Sequence, residues 1–198
     1  MRSLLFFFKI CCFLFSLAAW VACNPDYKKR VKPQEVRNKT TQSSVLFFKN
    51  MRSLDYQVVE MPQTKRNIYR HKERVQDSSQ VQIGLALVEK WDTDQAYVLL
   101  EPNEKLNDFL AQEKTDTLKL YWQNPHTKAQ GCLQFVWGHV DTHFIFASQI
   151  YNALIEDCTF YLKSKTQSEP IPFLKQSRER ETFRIVMQDY YRLVNIFK

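Results

Sequence analysis

Glycine is scarce in this chain, with Gly84, Gly131 and Gly138 the only three among 198 residues. No two of them are close enough to shape a phosphate-cradling loop. GxGxxG and GxxxxGK(S/T) are both absent, which excludes mononucleotide and dinucleotide sites of those types. The sequence also lacks GxSxG, the strained elbow that presents a hydrolase serine. It has no HExxH helix and no CxxC pair, so zincin, thioredoxin and zinc-ribbon chemistries have no motif to use. No cofactor is expected.

What is present is the makeup of a folded chain, because hydrophobic residues at 44% and charged residues at 25% leave little room for extended disorder. Charge is distributed unevenly. Residues 24–75 hold 13 basic and 5 acidic side chains, whereas residues 76–198 hold 13 and 16. A basic stretch that follows a membrane attachment point is expected to lie near anionic headgroups, each Lys or Arg contributing about 1 kcal/mol there. An exported protein rarely meets nucleic acid, so none is expected as a partner.

The attachment point is read from the N-terminus. Met1-Arg2-Ser3 is a short positive start, Leu4 to Ala22 is apolar apart from Lys9 and Ser16, and the segment closes on Trp20-Val21-Ala22-Cys23. This resembles a bacterial lipoprotein signal, in which a small residue precedes a cysteine that is acylated and becomes the first residue after cleavage. Ala22 and Cys23 match that pattern, while Trp20 stands where an aliphatic residue is usual. The resemblance implies lipidation at Cys23 and a place in the cell envelope, on the periplasmic or outer-membrane face. Two alternatives are ordinary secretion with cleavage near Ala22 and an uncleaved single span with a cytoplasmic domain. The 19 residues from Leu4 to Ala22 are just long enough for a span. Lys28, Lys29, Arg30 and Lys32 would then favour the cytoplasmic side.

After the leader, residues 24–43 read as a basic linker and residues 44–198 as a single domain. Asn38-Lys39-Thr40 is a glycosylation pattern that matters only in a eukaryotic secretory host. From Ser44 the period is two, predicting strands at Val45 to Lys49, Leu54 to Met61 and Asn67 to Lys72. Val81 to Lys90 is apolar enough on both faces to be a central strand, turning at Asp92-Thr93-Asp94 into Ala96 to Leu100. Pro102 to Gln112 is expected to form a short helix, and Thr117 to Gln123 to pair with Gln130 to Trp137. Asp141 is expected to cap a helix over about 141–155, with a strand at Thr159 to Lys163 after it. Phe183, Val186, Met187, Tyr190, Val194 and Phe197 form one stripe of a second helix, about 178–197. The prediction is an α+β domain: a mostly antiparallel sheet of several hairpins with two main helices packed on it.

Candidate sites are few. His139 and His143 have the i, i+4 spacing of two metal ligands, with Asp141 between them and Asp157 later, but a cap at Asp141 would leave His139 outside the helix. Cys132 and Cys158 could bond in an oxidising compartment or remain buried thiols. Glu156-Asp157 and Asp92/Asp94 are carboxylate pairs that read first as solvated turn residues. The aromatic set Phe47, Phe48, Tyr56, Tyr121, Trp122, Phe135 and Trp137 could line a glycan or peptide groove, although strand alternation sends half of such rings inward. Trp91 is the ring expected to be most exposed.

The runs Phe47-Phe48-Lys49-Asn50-Met51-Arg52, Ala96 to Pro102 and Phe183 to Leu193 resemble those of small uncharacterised exported proteins of Bacteroidota-type bacteria. That resemblance implies location and size and transfers no functional residue. The expectation is a lipid-anchored envelope binding or structural module with an envelope protein or glycan as partner. An envelope hydrolase using a His/carboxylate site is the enzymatic alternative.

Overall fold

The computed structural model describes residues 28–197. The leader, the lipidation candidate Cys23 and its alternatives lie outside those residues. Among the described residues no helix is long and apolar enough to cross a membrane.

The expected α+β class is what the chain forms. Helix α1 (Gln42–Phe47) runs into a π-helical turn (Phe48–Arg52), and four strands follow: β1 (Tyr56–Met61), β2 (Arg66–His71), β3 (Ile83–Lys90) and β4 (Gln95–Pro102). Helix α2 (Glu104–Gln112) leads to β5 (Thr117–Gln123) and β6 (Gln130–Val136), then α3 (Val140–Leu154), β7 (Thr159–Leu162), β8 (Ile171–Phe173) and α4 (Ser177–Leu193). The hairpins divide between two antiparallel sheets, one ordered β1-β2-β3-β4 and the other β6-β5-β7-β8. Helix α3 packs on both β4 and β6 and so joins the sheets, while α4 lies over β3 and β4 and against α3.

Burial follows the pleat. In the first sheet, cross-strand pairs such as Tyr56↔His71, Tyr69↔Leu87 and Leu87↔Val98 put these residues on one face. All of them are buried there, and β3 is buried on both faces, in keeping with its central place. In the second sheet Leu118, Leu120, Phe135, Phe160 and Leu162 point inward toward α3. Gly131 stands opposite Trp122, and a Cβ there would come 2.8 Å from the indole ring, so the missing side chain is what lets the ring lie across β6.

Four expectations need correction. Val45 to Lys49 is helical, because Thr41 and Ser44 form a reciprocal capping box and the turn that follows seats Phe48 on Tyr69 at 5.0 Å. The cap of α3 is His139 rather than Asp141: its Nδ1 accepts the Asp141 amide at 3.3 Å, and Asp141 sits in the first turn. Helix α4 ends at Leu193 and is enclosed nearly all round, since the polar residues Arg184, Gln188 and Asp189 are buried too. Its stripe rests on the sheet, and the opposite side is covered by the segment from α1 to β1, whose Arg52 and Tyr56 reach Asp189.

Residues 28–41, expected to be a linker, lie against the domain. The Val31 amide donates to Asn152 Oδ1 at 3.1 Å, Arg30 pairs with Glu156, and Lys39 forms a bridge with Gln95 at the start of β4. Val31 is buried in the common core.

Candidate functional site

The histidine pair is not brought together. His139 is an exposed cap, whereas His143 is buried with its ring 5.0 Å from Phe135 and its Nδ1 accepting the Leu100 amide at 3.1 Å. Burial lowers the His143 pKa, so the neutral ring that this bond requires is the favoured form. Asp157 lies beyond the far end of α3, about 20 Å away for a helix of 15 residues. No group of three or more potential metal ligands forms among the described residues. Cys132 is exposed, Cys158 is buried, and both are free thiols, so the possible disulfide is not formed. Burial raises the Cys158 thiol above its ordinary value, which makes it a packing residue rather than a nucleophile.

Two buried carboxylates sit beneath the first sheet, and each is engaged by neighbours. Glu89 accepts from the Tyr69 hydroxyl at 2.8 Å and from Asn67 at 3.0 Å, and pairs with Lys49 at 2.8 Å. Burial alone would raise its carboxyl, but these donors outweigh burial and hold it below the usual carboxylate range. Asp189 accepts from Arg52 Nε at 2.8 Å and from the Tyr56 hydroxyl at 2.8 Å. Both carboxylates are thus engaged by three donors each, and those donors belong to the fold. Above Glu89, an open cleft of about 680 Å³ runs between α1 and the β3–β4 turn, walled by Leu46, Lys49 and Trp91. Trp91 is half exposed, as its place beside the turn led one to expect.

The outer face of the second sheet carries a different arrangement. Register aligns Cys132, Tyr121, Tyr161 and Pro172 in one row across β6, β5, β7 and β8. The two tyrosines stack with centroids 5.7 Å apart, and the Lys163 ammonium lies over the Tyr121 ring at 4.4 Å. Beside this row a groove of about 620 Å³ is lined by Tyr161 and Pro172 on its apolar side and by Gln123, Ser164, Gln167 and Glu169 on its polar side. The loop 163–170 that closes the groove is positioned by Glu113, which accepts from Ser164 at 2.5 Å and from the Lys165 amide at 2.9 Å.

Of the aromatic set, Phe48, Tyr56 and Phe135 are core. Tyr121 belongs to the row beside the groove. Tyr161, Lys163 and Pro172 were missed in sequence, though the alternation Phe160-Tyr161-Leu162-Lys163 contains the signal: two inward apolar residues leave Tyr161 and Lys163 facing out together.

No protein-family model, curated protein or solved structure matches this chain.

Proposed function

We propose that the protein is a lipid-anchored envelope module that binds a glycan in the groove on its second sheet, with Cys23 as the acylated anchor. The observation that supports this most directly is the lining of that groove. A ring and a proline present flat apolar surface to the C–H face of a sugar, while Gln123, Gln167 and Ser164 offer paired donors and acceptors for hydroxyl groups. The engagement of Glu89 and Asp189 by donors of the fold and the separation of His139, His143 and Asp157 favour binding over hydrolysis.

Attachment through Cys23 is supported by the lipoprotein-like close of the leader and by the short spacing to the domain. Arg30, which pairs with Glu156, follows Cys23 by only seven residues. Two or three acyl chains at that position would make attachment durable where one alone is marginal.

The test of ligand class is co-sedimentation of the purified full-length protein with insoluble cell-wall glycan. Tyr161→Ala is expected to weaken binding about tenfold, roughly 1.4 kcal/mol. Equal sedimentation of wild type and variant, or none by either, would remove the glycan assignment. Intact mass of the protein taken from its native membrane tests the anchor: a mass beginning at Cys23 with acyl groups supports it, and a mass beginning at Met1 overturns it.

A further inference from the structure

The exposed large apolar side chains of the described domain are not scattered. Eight of the nine lie between residues 46 and 91, and only Val136 lies elsewhere. Leu46, Phe47, Met51 and Leu54 are on the outward side of α1 and the turns that follow it. Val58, Val59 and Met61 are on β1, whose second edge carries no partner strand among the described residues, and Trp91 stands at the adjoining turn, its amide donating to the Lys65 carbonyl at 3.3 Å. A folded monomer rarely leaves a band of this kind in water.

Charge and chain path indicate what covers it. The band lies in the basic half of the chain, and Lys39 and Lys65 beside it are exposed and form no ion pair among the described residues. The opposing charges are Asp92 and Asp94 in the same turn, Asp92 lying 3.9 Å from Lys90, Asp55 paired with Arg52 at 3.0 Å, and Glu60, exposed on β1 beside Trp91. The chain enters the domain at the same end. Lys29 lies over the Phe197 ring at 4.8 Å, Asn195 donates to the Thr41 hydroxyl at 3.4 Å, and Thr41 lines the cleft that Trp91 and Leu46 wall. From Lys28 back to Cys23 the backbone spans at most about 17 Å, so an anchor at Cys23 keeps this end beside the bilayer.

We propose that the apolar edge formed by α1, β1 and Trp91, with Lys39 and Lys65 beside it, seats in the interface of an anionic membrane, so that the domain lies on the bilayer with β1 down. Apolar side chains enter the headgroup region while lysines meet lipid phosphates, which is the chemistry of an interfacial amphipathic surface. The indole of Trp91 suits that depth, where one part of a ring is dry and its N–H is wet. The inference rests on the Cys23 anchor but is separable from it.

The experiment uses the acylated protein taken from its native membrane and reconstituted in vesicles of phosphatidylglycerol and phosphatidylcholine, some with brominated acyl chains. Flotation reports attachment, and the loss of quenching on Trp91→Phe isolates Trp91 from Trp122 and Trp137. The expected result is flotation together with a Trp91-dependent share of bromolipid quenching, reduced at least twofold by Leu46→Glu with Met51→Glu. Protein that floats while Trp91 stays unquenched and open to iodide would overturn the seating and leave the anchor intact. Failure to float would instead strike at the anchor, and with it this proposal. A concentration-dependent dimer in detergent that Met51→Glu dissociates would assign the edge to a second copy and also overturn it.

Discussion

The two sheets solve the same problem in opposite ways. The second sheet buries one face under α3 and dresses the other in Tyr121, Tyr161, Lys163, glutamines and a lone exposed cysteine, so it meets water with groups that tolerate water. The first sheet is enclosed at β3 and β4 but thins toward β1, where five of six residues are exposed and three of those are apolar. Beneath that thin region lie the buried carboxylates Glu89 and Asp189, while the inner face of the second sheet is hydrocarbon. The difference teaches that the β1 edge is held by polar ties rather than by the depth of its apolar packing, which leaves its own apolar groups free for an external surface.

The strongest way to break this contrast is to remove a tie. Asp189→Ala strands the buried Tyr56 hydroxyl and leaves Arg52 with Asp55 alone, and is expected to cost about 3 kcal/mol, read from the shift in the urea unfolding midpoint. A loss below about 1 kcal/mol would mean that α1 and β1 are held by packing after all.

A smaller effect probes the junction between the sheets. His143 accepts from β4 and packs its ring on β6, so His143→Leu should cost about 1–2 kcal/mol at neutral pH by stranding the Leu100 amide. The same ring sets a pH dependence. Its folded pKa lies below the ordinary value of 6.5, so the unfolded chain takes up a proton first as pH falls. Stability is therefore complete above 6.5 and declines as pH drops toward the folded value. Burial lowers His71 in the same direction, so the Leu variant should show a shallower decline rather than none, by thermal melts across pH 7 to 5.

The smallest expected effect sharpens the comparison from the other side. Leu54→Ser, at an apolar side chain 72% exposed, should change stability by less than about 0.5 kcal/mol in chemical denaturation. A larger loss would make Leu54 part of the fold instead of part of a contact surface.

Strand positions were legible because alternation is a local property: β3 with β4 and β5 with β6 sit within two residues of where the pattern placed them. The division into two sheets was not, since nothing in either hairpin names its neighbour and the split is decided by where α3 packs. Val45 to Phe48 misled because four consecutive apolar residues fit a strand as readily as a buried helical turn, and the Thr41-Ser44 cap that settles the matter is polar and easily taken for a loop. The histidine spacing was legible as a pattern, yet its meaning depended on a cap shifted by two residues, which set one ring in solvent and the other in the core. Tyr161 lay within a run already read as a strand, but its partnership with Tyr121 is a cross-strand relation that no single segment carries.

The segment before α1 gives the first sheet an asymmetry of its own. At the outer margin of β4, the Ala96 amide donates to the Asn38 carbonyl at 2.8 Å and the Thr40 amide to the Asp94 carbonyl at 2.9 Å. The incoming chain thus works as a selvage, binding off one raw margin of the sheet while the margin along β1 is left unhemmed. Trimming the protein back to Thr41 would leave two sticky margins in place of one, so a shortened form made for convenience in solution would be the version most prone to clump.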